Sequence, residues 1–257
     1  MNIFVSKNDK ADPLKAAFNV LLLSVFLAAL FWFALSRAGV AFNFAYLSAY
    51  KFRMADGFLM TVCLSAASLA LSLFLGILCA VLQTGKILAL RYLSQLYVIL
   101  IRGTPLIMQI YLFYYIVGTA FGIENRFLSG VLILSFFEGA YVTEIIRGSL
   151  LSLDGVQVEA AKAVGFTKKQ ITTLVILPQM TARTLPALTG QFASIIKDSS
   201  LLSLISVIEL TQTTREITAD TFKIFEPYFV LGILYLILTL PIMFASKRLE
   251  QRFLYEN

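Results

Sequence analysis

A chain of 257 residues that is 59% hydrophobic and only 14% charged cannot present an ordinary water-facing surface. Its long apolar runs are continuous rather than alternating, so they read as bilayer-crossing helices and not as barrel strands, giving an all-α polytopic membrane protein. The formal charge of +6 lies in short loops and tails rather than on one helical stripe, which argues against a nucleic-acid partner, and the absence of histidine and of any cysteine cluster argues against a zinc or transition-metal site.

The first apolar run, 17–35, follows a polar segment with Lys7, Lys10 and Lys15. A cleaved signal peptide is the competing reading, with Ala34-Leu35-Ser36 as a cleavage site. The apolar part is too long for a usual signal core, so a retained span is expected. Residues 36–56 read as a mixed linker. The second run, 58–82, is dense in Thr61, Ser65, Ser68, Ser72 and Gly76, small and hydroxyl residues that suit close helix packing inside a bundle. Cys63 and Cys79 lie in this same run, too far apart along one helix to bond to each other, and read as packing residues.

Residues 87–101 read as an amphipathic arm at the inner surface. Arg102-Gly103-Thr104-Pro105 then breaks the pattern, with Arg102 snorkelling to the edge, and 106–120 resumes as a span. A fourth run, 127–150, carries Glu138 near its middle and Glu144 and Arg147 near its inner end, three apart and able to pair on one face. The longest polar interval follows, 151–183. A fifth run covers 184–207, a polar outer loop 211–226, and a final run 228–245 ends in Lys247, Arg248 and Arg252. With six crossings and both termini cytoplasmic, fourteen Lys and Arg fall on the side of the 151–183 interval and six on the other, with Lys197 inside a span. That asymmetry places the interval in the cytoplasm.

Within the interval, Glu159-Ala160-Ala161-Lys162-Ala163-Val164-Gly165 reads as a short helix with a small-residue face, opened by a turn at Asp154-Gly155 and ended by Gly165. Pro178 marks the entry to the next helix. Glu159 either meets a partner or caps its own helix. The pattern Glu-Ala-Ala, three residues, Gly, nine residues, then Val175-Ile176-Leu177-Pro178 resembles the EAA loop of bacterial ABC importer permeases, with Val175 in place of the usual Ile. Arg102-Gly103-Thr104-Pro105-Leu106, Ala140-Tyr141, Glu144-Ile145 and Lys197-Asp198-Ser199-Ser200-Leu201 resemble segments of the polar amino acid permeases within that family.

The resemblance implies a type I ABC importer transmembrane fold, with a five-helix core plus one extra N-terminal helix. Residues 1–56 would hold the tail, extra helix and linker, 57–250 the transmembrane domain with its coupling loop at 151–183, and 251–257 a C-terminal tail. It implies that Glu159, Ala160, Ala161, Gly165, Leu177 and Pro178 couple to cytoplasmic ATPase subunits. A second permease subunit and an extracytoplasmic amino-acid-binding protein would complete the transporter, in a bacterial inner membrane. Gly85-Lys86 lacks the remainder of a phosphate-binding loop, so ATP-Mg is expected on the ATPase partner and no catalytic residue or cofactor on this chain.

Ionisable groups inside spans are costly and face a cavity or a partner. Glu138, Lys197 and Asp198, with Gln191 and Gln109 as polar company, are therefore candidates for a midplane site that takes an amino acid's ammonium and carboxylate. A structural network joining helices, including a Glu138–Lys197 pair, is the other reading. Two further functional classes remain open from the residues: an ion-coupled secondary amino acid transporter or channel, which has no use for the 159–165 stretch, and a membrane scaffold, which leaves Glu138 and Lys197 unexplained.

Overall fold

The computed structural model describes residues 13–37, 39, 42–153 and 155–254. Lys7, Lys10 and Asp154, named above, lie outside the described residues, as do positions 255–257 of the C-terminal tail. The chain divides into two units, Met1–Ala45 and Tyr46–Asn257. The first holds α1, Pro13–Arg37, a 25-residue apolar helix that at 1.5 Å per residue is about 38 Å long.

In the second unit α2, Lys51–Thr84, is the longest helix. The expected 36–56 linker is shorter than its sequence implied. A 3-10 turn over Ala45–Tyr50 runs into α2 at Lys51, because Leu47 and Met54 bury their side chains with Ile217 and so extend the helix beyond the lipid-type run. Thr61, Ser65, Ser68, Ser72, Gly76 and Ala80 fall three to four residues apart and are all buried. Ser68, Ser72 and Gly76 meet α5, Arg126–Leu151, the helix that packs most extensively on α2. A Cβ on Gly76 would stand 2.3 Å from Val142 Cγ1, so the backbones approach as only glycine allows. Ser135 Oγ donates across the same seam to Ser68 O at 3.2 Å. Leu64, Ile110, Leu134, Ile195 and Leu202 fill the core beside it.

The break after Arg102 is sharp. α3, Leu88–Arg102, and α4, Leu106–Leu112 with its π-helical continuation Phe113–Gly118, are bent by 111°. Gln109 holds the corner, its amide nitrogen donating to Ile101 O at 2.7 Å and Thr104 Oγ1 at 2.7 Å. Glu144 forms the expected pair with Arg147 and also binds Arg102 at 3.3 Å. Arg102 stacks over the Tyr141 ring as well, so its charge is met within the protein rather than left to headgroups.

After the 155–167 segment the chain is helical from Lys168 onward. α7, Lys168–Gln170, passes through π turns at Ile171–Ile176 into α8, Leu177–Asp198. Pro178 stands in the first turn of α8, where the sequence placed it, although the helical path leading to it begins ahead of α7. Thr167 starts that path with a capping box closed by Gln170, and the π turns ahead of Pro178 fit a residue that has no N–H to donate. The expected loop 211–226 is also corrected, for it holds α9, Leu210–Thr221. Buried Glu209 caps α9 by accepting from Thr211 N and Gln212 N at 2.8 Å each, and Tyr235 of α10, Phe225–Leu254, donates to the same carboxylate at 3.0 Å. A polar stretch with one fixed cap and a buried Ile217 forms a helix where composition alone reads as loop.

Among the described residues four helices are long and apolar enough to cross a membrane, Leu14–Arg37, Ala45–Thr84, Arg126–Leu151 and Phe225–Gln251, with the bent α3–α4 pair making up to five. α8, where the sequence placed a further crossing, has the length at 22 residues but carries Thr181, Arg183, Thr184, Thr189, Gln191 and Lys197.

Candidate functional site: a projecting helix and an enclosed polar cluster

α6, Gly155–Ala163, lies between α5 and α7. Its end is a Schellman turn. Gly165 sits at φ +87°, its N–H donates to Lys162 O at 3.0 Å, and Phe166 N donates to Ala161 O at 3.0 Å. Only four residues separate α6 from α7, and the Thr167 capping box fixes the last of them. One side-chain link ties α6 to α8, and a second ties the end of α5 to α8. Gln179 Nε2 donates to Gln157 Oε1 at 2.6 Å, and Arg183 binds Ser152 Oγ at 2.7 Å and also the Ser152 carbonyl. α6 is thus joined to α8 through the short chain segment between them and through Gln157.

Of the residues singled out here, Ala161 is buried, while Glu159, Ala160, Gly165, Leu177 and Pro178 are exposed. Glu159 lies past the first turn, so its reading as a cap for its own helix is corrected, since only a first-turn carboxylate serves the free N–H groups. Sequence reasoning did not single out Val156 and Val164, 67% and 73% exposed, which flank Ala160 at four-residue spacing. Apolar side chains repeating at that spacing inside a polar interval were the available signal. Together they give α6 a protruding apolar strip with a small residue at its centre, the kind of surface a protein partner covers.

The second group lies between α5 and α8. Glu138 is fully buried, and Gln191, 53 residues away, donates its amide to one carboxylate oxygen. Asp198 faces the same carboxyl, and Glu138 Oε1 has no hydrogen-bond donor among the described residues. The structure thus brings Glu138, Gln191 and Asp198 together. The expected Glu138–Lys197 pair does not form, because Lys197 is exposed and, adjacent to Asp198 on the helix, points elsewhere. Gln109 is engaged at the α3–α4 corner instead.

A lipid-type helical bundle whose polar interval folds as an exposed short helix with an apolar strip fits a membrane component that works with a protein partner. Residues 72–255 match the binding-protein-dependent transport system inner membrane component family. The chain is 34% identical over 199 residues to the glutamine transport system permease protein GlnP of Escherichia coli K12, covering 77% of this chain and 91% of that one. It is 32% identical over 205 residues to a putative glutamine transport permease of Rickettsia conorii, covering 78% and 93%. A crystal structure of an amino acid ABC transporter with histidines superposes with a TM-score of 0.77 at 30% identity, over 83% of this chain and all of that chain. An inward-facing structure of the MetNI methionine ABC transporter shares the fold, with a TM-score of 0.63 at 19% identity. The chain belongs to the family of binding-protein-dependent transport system inner membrane components. It is the permease part of an ABC importer, as its resemblance to the polar amino acid permeases implied, and the ion-coupled alternative is not favoured.

Proposed function

We propose that this chain carries a polar amino acid of the glutamine class across a bacterial inner membrane, in a complex with a second permease subunit, two ATPase subunits and an extracytoplasmic binding protein. With six crossings, α8 being the fifth in chain order, both termini and α6 lie in the cytoplasm, and α8 turns its polar residues toward protein and pathway rather than lipid. The observation that carries the reading is α6 itself, an exposed helix with an apolar strip, tied to α8 by Gln157–Gln179 while Arg183–Ser152 ties α8 to the end of α5. ATP binding on the ATPase subunits draws α6 and its counterpart on the second permease subunit together, and the link to α8 turns that movement into a change of the bundle. Nucleotide and loaded binding protein must each favour one of the two states, since a ligand without differential affinity shifts nothing. ATP and Mg stay on the ATPase partners, and α6 meets them through Glu159, Ala160, Ala161, Gly165, Leu177 and Pro178. The test is uptake of labelled glutamine into proteoliposomes holding all the subunits. Uptake is expected only with ATP inside and binding protein outside; uptake driven by an ion gradient without ATPase would refute the reading.

Within the bundle, Glu138, Asp198 and Gln191 are proposed as pathway residues, with Lys197 and Gln109 contributing less directly. Carboxyl groups can receive an amino acid's ammonium, and the free Glu138 Oε1 is an acceptor in place. Glu138 is fully enclosed, so substrate reaches it only when α5 and α8 part. Glu138→Gln retains the shape and an acceptor for Gln191 but loses the ability to ionise. It is expected to raise the KM of uptake about tenfold, the scale of one lost charged contact. Unchanged uptake kinetics would assign the cluster to helix packing alone.

A further inference from the structure

A cavity of about 630 Å³ opens at the α6 end of the bundle, between α3 and the adjoining ends of α2 and α5. Gln83 and Thr84 line it from the last turn of α2, Arg91, Tyr92 and Gln95 from one face of α3, and Arg147 from α5. Transport as described above makes no use of it.

Its charges do not balance. Glu144 is the only carboxylate in the lining, and it is already bound by Arg102 and Arg147. Arg91 adds a second guanidinium to the lining beside Arg147. It donates through Nε to Gln83 O at 2.9 Å, and among the described residues its two terminal nitrogens have no acceptor. Arg91 and Arg147 line the cavity against the single carboxylate of Glu144, which Arg102 also pairs with, and this leaves a surplus of positive charge in a half-enclosed space whose walls also offer amide and hydroxyl donors. A guanidinium fork with free terminal nitrogens matches the oxygens of a phosphate. The rim is apolar, with Ile99 and Leu151 exposed beside the opening.

We propose that this cavity is a binding site for a phosphate-bearing anion, seated on Arg91 with Gln95 and Arg147 around it. The apolar rim favours an anionic phospholipid whose headgroup enters while its chains stay in the bilayer; basic pockets between membrane helices on this side hold such headgroups. From the functional reading the proposal takes only that the α6 end lies at a membrane surface, and its test involves no transport.

The purified full-length transporter is placed in nanodiscs of phosphatidylcholine with and without phosphatidylglycerol, and retained lipids are counted by native mass spectrometry. Phosphatidylglycerol is expected to be kept over phosphatidylcholine by about tenfold. Arg91→Gln and, separately, Gln95→Glu, which puts a negative charge in the lining, are each expected to remove most of that preference. Unchanged melting temperature and co-purification of the ATPase subunits show that a variant is folded. Labelled inorganic phosphate, titrated in phosphatidylcholine discs, separates the sources. Saturable binding lost in Arg91→Gln, without preference between lipids, assigns the site to a soluble phosphate. The proposal is overturned if neither phosphatidylglycerol nor phosphate is selected, or if both folded variants select them as the wild type does.

Discussion

Gly165→Val is expected to strip the ATPase subunits from the purified complex and to lower ATP-driven uptake by at least about tenfold, while the permease still inserts in normal amounts. Gly165 holds φ +87°, a conformation costing an L residue about 1–2 kcal/mol and a β-branched one more. Nothing lies within 4 Å of a Cβ built there, so the penalty comes from the backbone and not from a collision with the bundle. The chain relieves it by leaving the left-handed region. That costs the Gly165–Lys162 and Phe166–Ala161 hydrogen bonds and swings the strip of Val156, Ala160 and Val164 out of register with its partner. Gly165→Asn is the control, because asparagine tolerates this conformation, and should keep most of the coupling. The measurements are co-purification and uptake for both variants. Full coupling in Gly165→Val would show that the orientation of α6 is not what the partner reads.

Gly76→Ala is expected to destabilise the bundle by about 1–3 kcal/mol, as forced overpacking of a filled core does. The added Cβ would lie 2.3 Å from Val142 Cγ1 and 3.1 Å from the backbone nitrogen of Thr143. The valine methyl can be removed, but the Thr143 backbone cannot move without shifting α5. Val142→Ala in the same chain should therefore recover most, not all, of the lost stability, with a coupling energy of about 0.5–3 kcal/mol as expected for residues in contact. Thermal unfolding of the four proteins of this cycle in detergent gives the answer. Additive losses would mean that α2 and α5 are not pressed together at this point.

The residues by themselves determined the features that follow from solvent and from the local backbone. Lipid as solvent demands long apolar helices, and the runs show it for α1, α2, α5 and α10. A glycine past a small-residue helix announced the turn at Gly165, and Gly103-Thr104-Pro105 announced the corner between α3 and α4. Small residues three and four apart marked the α2 face that takes another helix. Each signal is written within a few turns of chain, where sterics and hydrogen bonding act directly.

Tertiary structure alone decided the rest. The partners of Glu138 were not legible, since Gln191 lies 53 residues away and the choice of Gln191 and Asp198 over Lys197 depends on how α8 is rotated against α5. The same holds for Arg102 reaching Glu144, for Gln157 and Ser152 holding α8, and for α9, whose polar residues form a helix only because Glu209 is buried where it can cap them. Sequence spacing sets which face of one helix a side chain occupies; it does not set which face of another helix stands opposite. That is settled by packing the whole bundle at once, where contacts such as Gly76 against Val142 leave each helix little freedom to turn.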